Sequence, residues 1–152
     1  MTKTSLWLAL GGFAIGSLAA QERRSEGDDQ REAIVLERIE KDYVLGQMRL
    51  FVESIQAIAD GLAEGNPSKA AEAAAARGLK RNADDPAFPV TLRAKLPDHW
   101  KQLGGGMRKG FDQIAQGITD GQDTPHSLKE LGELMKGCVG CHASYRIVDA
   151  KP

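Results

Sequence analysis

The chain is short of cysteine, with two among 152 residues. That excludes the disulfide framework of a small secreted scaffold and any four-cysteine metal site. Aromatic residues are scarce at 5%. Ala, Leu, Glu, Lys, Arg and Gln are plentiful instead, a composition that leans towards helix. Neither sign of charge prevails. Lys and Arg number 20 against 21 Asp and Glu, so no single-sign field points to nucleic acid. Convincing alternation at period two is missing, and with it the signature of strands. No substrate pocket or acid–base pair is visible either, which weighs against an enzyme. The length suits one domain with a real core.

The one long apolar run is N-terminal. "MTKTSLWLALGGFAIGSLAA" carries a single cation, Lys3, then an apolar stretch that ends in small residues at Ser17 and Ala19, as signal peptides do. It is short for a membrane span of about 20 residues. Residues 1–19 are therefore expected to be a signal peptide, cleaved after Ala19 or Ala20, with no stable membrane span left behind. Loss of Lys3 takes the net charge from −1 to −2. Residues 20–29 read as a flexible charged leader, 30–148 as the folded domain and 149–152 as a short tail. Export places the cysteines in an oxidising compartment, where a disulfide is the usual fate.

From Asp28 onward the apolar residues recur at the helical period. A first helix is expected from Asp28 to Glu64, with Met48, Val52, Ile55, Ala59 and Leu62 as its inner stripe and Gly46 as a kink or close-contact point. Asn66 caps a short second helix in "NPSKAAEAAAARGLK", with Pro67 in its first turn. Three prolines, Pro86, Pro89 and Pro97, make Arg81 to Leu96 an extended connection. A third helix runs from Pro97 to Gly121, with Trp100, Leu103, Met107, Phe111, Ile114 and Ile118 inward. Gly104-Gly105-Gly106 within it either breaks the helix or admits something bulky against its backbone. The fourth helix starts at Thr124-Pro125 and reaches Ile147. Its Leu128, Leu131, Met135, Cys138, His142 and Tyr145 make a heptad-like seam. Four amphipathic helices with short first and last connections read as an all-α antiparallel bundle.

Both cysteines lie in "CVGCHASYR", on that seam. At about 100° per residue Cys141 falls about 60° from Cys138, and His142 about 40° on the other side. Two thiols one turn apart can each bond a vinyl group of a porphyrin while the adjacent imidazole reaches the iron, the spacing of covalent haem attachment. One haem c is therefore the expected cofactor. Thioether formation would consume both thiols and remove the disulfide problem. A thioredoxin-like dithiol would want a βαβ context, zinc would want a fourth ligand, and a disulfide across one helical turn is strained.

"CVGCHASYR" on the last of four helices resembles the class II cytochromes c, the cytochrome c′ family, and within it the monohaem cytochrome c′-like exported bacterial proteins. The resemblance covers roughly residues 30–148, and only this motif within it is specific. It implies an up-down-up-down four-helix bundle, a periplasmic location and His142 as the proximal iron ligand. The first helix would cover the opposite face of the haem. Relatives with an apolar side chain there leave iron five-coordinate and bind NO or CO; low-spin relatives place a methionine there and carry electrons. Met48 is the only methionine of the first helix, and a thioether ligand favours the reduced state; Leu45, Phe51 and Val52 compete for the position.

Family arginines near a haem propionate map onto Arg49, beside Met48, and Arg146, one turn after His142. Met107 reads as core, His99 and His126 as solvent-facing, and Met135 lies on the wrong helix to face His142 across iron. The resulting expectation is an electron carrier serving periplasmic redox partner proteins, with NO or CO binding as the alternative. A peroxidase-like role would need a polar residue opposite His142, for which the first helix offers Glu53. Relatives pair through their first two helices, so a homodimer through the same surface is implied as well.

Overall fold

The computed structural model describes residues 29–82 and 85–151; the expected signal peptide and all but Asp29 of the expected leader lie outside them. The described chain is mostly helical, with one short parallel strand pair. Strand β1 (Glu32–Leu36) leads into helix α1 (Arg38–Ala63) and α2 (Pro67–Ala75). Two single-turn helices follow, α3 (Leu79–Asn82) and α4 (Leu92–Lys95), then the long α5 (Asp98–Thr119) and α6 (Thr124–Ser144), and β2 (Tyr145–Asp149) closes the chain.

The strand pair corrects the all-helical expectation at both ends. "EAIVL" is strand where the first helix was expected to begin, and α6 stops at Ser144 three residues short of Ile147. β1 and β2 pair in parallel, Glu32 with Tyr145 through Leu36 with Asp149. Ala150 N–H donates to the Leu36 carbonyl at 3.0 Å, so the ladder runs one residue past the strand. Ile34 and Leu36 are buried while Val35 is 53% exposed, an alternation too short to register as a period. Parallel pairing needs a long crossover, and here the whole helical body supplies it.

Local chemistry sets the helix ends. Glu37 and Glu40 form a capping box at the start of α1. The Asn66 side chain accepts from Lys69 N–H to start α2. Asp123, one residue before the expected Thr124, caps α6 by accepting from His126 N–H. The proline-rich connection is not extended throughout, since α3 and α4 fold within or beside it. Gly46 lies within an unbroken α1 and marks no close contact, as a Cβ there would meet only Arg49 Nη2 at 3.9 Å. Gly61 does mark one: a Cβ would lie 2.8 Å from Ala70 N, so glycine lets α1 and α2 approach backbone to backbone.

α1 packs on α2, α2 on α5 and α5 on α6, whereas α1 and α6 scarcely meet. One core lies among these four helices and contains Ile58, Ala74, Phe111, Ile114, Leu131 and Leu134. A second gathers Ile34, Leu36, Val44, Leu92 and Tyr145 around the strand pair and α4. The α5 face is the expected one, with Met107, Phe111, Ile114 and Ile118 buried. The α1 and α6 faces meet expectation only in part, with Leu62 and Leu131 buried as expected. Val52 is 65% exposed while Val44 and Ile58 are buried; Leu128 and Met135 are exposed while Leu134 is buried. Val52 faces a cavity between α1 and α6, which accounts for its exposure.

Candidate functional site

The cavity holds about 1090 Å³ and is lined by α1, α5, the end of α6 and the strap of residues 85–96. That is at the upper end of the roughly 300–1,000 Å³ usual for cofactor and small-molecule sites. Cys138, Cys141 and His142 all line it. Gly137 brings them against α5, since a Cβ there would lie 2.8 Å from Met107 Cγ. Cys138 Sγ consequently sits 3.9 Å from Met107 Sδ. Both cysteines are free and half-buried, and burial pushes both thiols above their usual pKa. Among the described residues, no cluster of three or more His, Cys, Asp and Glu side chains is placed to hold a metal ion.

The end of α6 is tied down from the far terminus of the domain. Arg31 Nη1 donates to the His142 carbonyl at 3.2 Å. Three residues on, Tyr145 is buried against Trp100, ring edge to face at 5.5 Å, and its hydroxyl lies 3.2 Å from His99 Nδ1. His142 itself is exposed on the cavity margin.

α1 supplies the facing wall through Tyr43, Val44, Gln47, Met48, Phe51 and Val52. Met48 is half-buried and packs against the same apolar cluster as Cys141. Leu45 does not line the cavity. Phe51 does, but its ring is stacked on Phe111 at 5.7 Å and so belongs to the core. Arg49 and Glu53 are exposed lining residues; Arg146, on β2, is not among the lining residues. Met107 lines the cavity beside Cys138, as expected of a core methionine, while Met135 is exposed away from it. His126 is exposed beside Glu130. In α5, Gly104 and Gly105 face the cavity, the helix runs unbroken through them, and an added Cβ would find nothing within 4 Å.

The roof is the strap, held at two points. Tyr43 Oη donates to Asp85 Oδ2 at 2.8 Å, and Phe88 meets the Tyr43 ring edge-on at 5.5 Å. Burial, then the Asp85 carboxylate, pushes the Tyr43 hydroxyl up to about 12. Further along, the fully buried Glu40 accepts from Lys95 Nζ at 2.7 Å and Thr91 Oγ1 at 2.6 Å. Those two bonds, Lys95 foremost, hold its carboxyl down at about 2.

One lining residue escaped sequence reading. Arg108 donates to Gln47 Oε1 at 3.0 Å and to the Arg77 carbonyl at 3.3 Å, and lies over the Phe51 ring at 5.0 Å. Its only sequence signal is adjacency to Met107 on the inner stripe of α5.

The residues present fit a haem: two thiols one turn apart and an imidazole share one largely apolar cavity with a methionine on the facing wall. Comparison with protein-family models, with curated proteins and with solved structures finds no match to this chain.

Proposed function

We propose that α1, α2, α5 and α6 form an up-down-up-down four-helix bundle carrying one covalently bound haem, and that the protein is an exported, periplasmic c-type cytochrome passing single electrons between partner proteins. The observation that carries this reading is the convergence of Cys138, Cys141, His142 and Met48 on one cavity of haem-sized volume. Cys138 and Cys141 would hold the group by thioethers, His142 would ligate its iron, and Met48 would approach from the α1 wall. When bound, the haem supplies a one-electron iron couple. The chain's own contribution is to fix and seal the site. Arg31 and the strand pair anchor the last turn of α6, Gly104 and Gly105 leave a flat wall, and the Tyr43–Asp85 and Glu40–Lys95 pairs hold the strap over the top. His142, exposed at the margin, marks the side from which a redox partner would exchange electrons.

The competing reading is five-coordinate iron that binds NO or CO. It is favoured by Val44, an apolar neighbour of Met48 on the same wall. Absorption spectra of the purified protein, oxidised, reduced and then exposed to CO, separate the two. Sharp α and β bands on reduction, a sulfur-to-iron charge-transfer band on oxidation and no response to CO are expected. Met48→Ala should then lower the midpoint potential and open the iron to CO. Full CO binding by the wild type would refute the electron-carrier reading. A colourless protein, free of covalently bound haem, would refute both.

A further inference from the structure

We infer that Arg108 binds an anionic group of the cavity's ligand, which on the haem reading proposed above is a carboxylate at the edge of the macrocycle. The inference rests on that reading and adds to it a residue that neither the motif nor the resemblance indicated. The two arginines expected from the resemblance are placed less well: Arg49 is exposed, and Arg146 lies outside the lining.

Arg108 is half-buried in the wall, and its partners are all neutral: a side-chain amide, a backbone carbonyl and an aromatic face. Among the described residues no carboxylate pairs with it directly. Asp85 acts on it only at longer range, with its oxygens occupied by Tyr43 Oη at 2.8 Å and Ala87 N–H at 2.9 Å. A cation facing an apolar cavity without a counter-ion is costly, and the cost is relieved when a ligand brings an anion. The guanidinium fork matches a carboxylate in shape and charge. Gln47, the Arg77 carbonyl and Phe51 already fix its direction, so little side-chain freedom remains to be lost on binding. Arg93 and Lys101 also line the cavity, but as exposed residues whose attraction is screened by salt.

The test is the pH dependence of the midpoint potential of the haem-bound protein. A carboxylate that titrates near the iron produces a step in potential, and the step falls at the pKa of that carboxylate. The other charged and titratable side chains facing Arg108 or the cavity are Tyr43, Arg49 and Glu53 from α1, Arg77 after α2, Asp85 and Arg93 from the strap, Lys101 from α5, and Cys138, Cys141 and His142 from α6. All are unaltered when Arg108 alone is replaced. An opposite charge in close contact lowers a carboxyl pKa by roughly 1–3 units. Arg108→Gln should therefore move the step upward by about that much, and Arg108→Lys should recover most of the shift. Arg108→Leu, which keeps an apolar stem over Phe51, serves if the Gln variant does not accumulate. A step unmoved in the Arg108 variants but moved in Arg49→Gln would overturn the inference and leave the cytochrome reading intact. Wild-type protein without covalently bound haem, checked by mass, would overturn both.

Discussion

Glu40 is the residue whose removal has the most calculable effect. It is 1% exposed and is held by Lys95 from α4 and Thr91 just before it, so it ties the strap to the first turn of α1. Its carboxyl is lowered from 4.5 to about 2, which at about 1.36 kcal/mol per unit is worth about 3 kcal/mol. Lys95 keeps 34% of its side chain in water, and screening trims the figure to about 2 kcal/mol. A depressed carboxyl stabilises the fold fully above its unfolded pKa, and the contribution is lost as pH falls from about 4.5 towards 2. Glu40→Gln keeps the shape and loses the charge. Urea unfolding should place it about 2 kcal/mol below wild type at pH 7, with at least half of that gap gone by pH 3. Lys95→Met should cost more than Glu40→Gln, because it leaves a buried carboxylate unpaired. A gap that stays constant from pH 7 to pH 3, or no gap at all, would refute the ion pair as the fastening of the strap.

Three further outcomes are expected. Gly105→Leu places a side chain into open cavity, so the fraction of chains carrying covalent haem should fall, measured as absorbance per protein mass, with helix content by circular dichroism unchanged. Leu36→Ala removes a fully buried side chain from the strand pair and should cost 2–5 kcal/mol on unfolding, of the order seen for core leucines. The double variant Cys138→Ala with Cys141→Ala should melt well below wild type, since the proposed haem would complete the interior; unchanged melting would contradict that placement.

Much of the helical plan could be read from the chain because it is local. Asn66-Pro67 starts a helix by chemistry contained within four residues, and the α5 stripe from Phe111 to Ile118 faces a closed core, so period and burial agree. The strand pair could not be read. Ile34 meets Ile147, and nothing within five residues of either signals a partner more than a hundred positions away. A helical expectation therefore runs over "EAIVL", which is strand. The inner faces of α1 and α6 differ from their stripes for another reason. Val52 fits an apolar stripe at helical spacing yet is exposed, because it lines the cavity and not the core; Met135 fits the α6 stripe yet is exposed away from the cavity. Within the site, Cys138, Cys141 and His142 announced themselves by type and spacing. Arg108 did not, since an arginine acquires its role from what the fold packs around it.

The order in which the helices pack bears on why the cavity exists. Contacts pass from α1 to α2, from α2 to α5 and from α5 to α6, and only sparsely from α6 back to α1. Leu131 and Leu134 on α6 and Ile58 and Leu62 on α1 reach the common core at one end. At the other end, α6 offers two cysteines and a histidine where leucines would close the seam. Protein interiors fill to crystal density, so a gap of this size along a seam otherwise built for burial leaves apolar wall without partner atoms. A rigid apolar group bonded to α6 and touching α1 would supply the missing side of the ring. Function and stability would then share one determinant: whatever holds the group at Cys138 and Cys141 also holds α6 to α1.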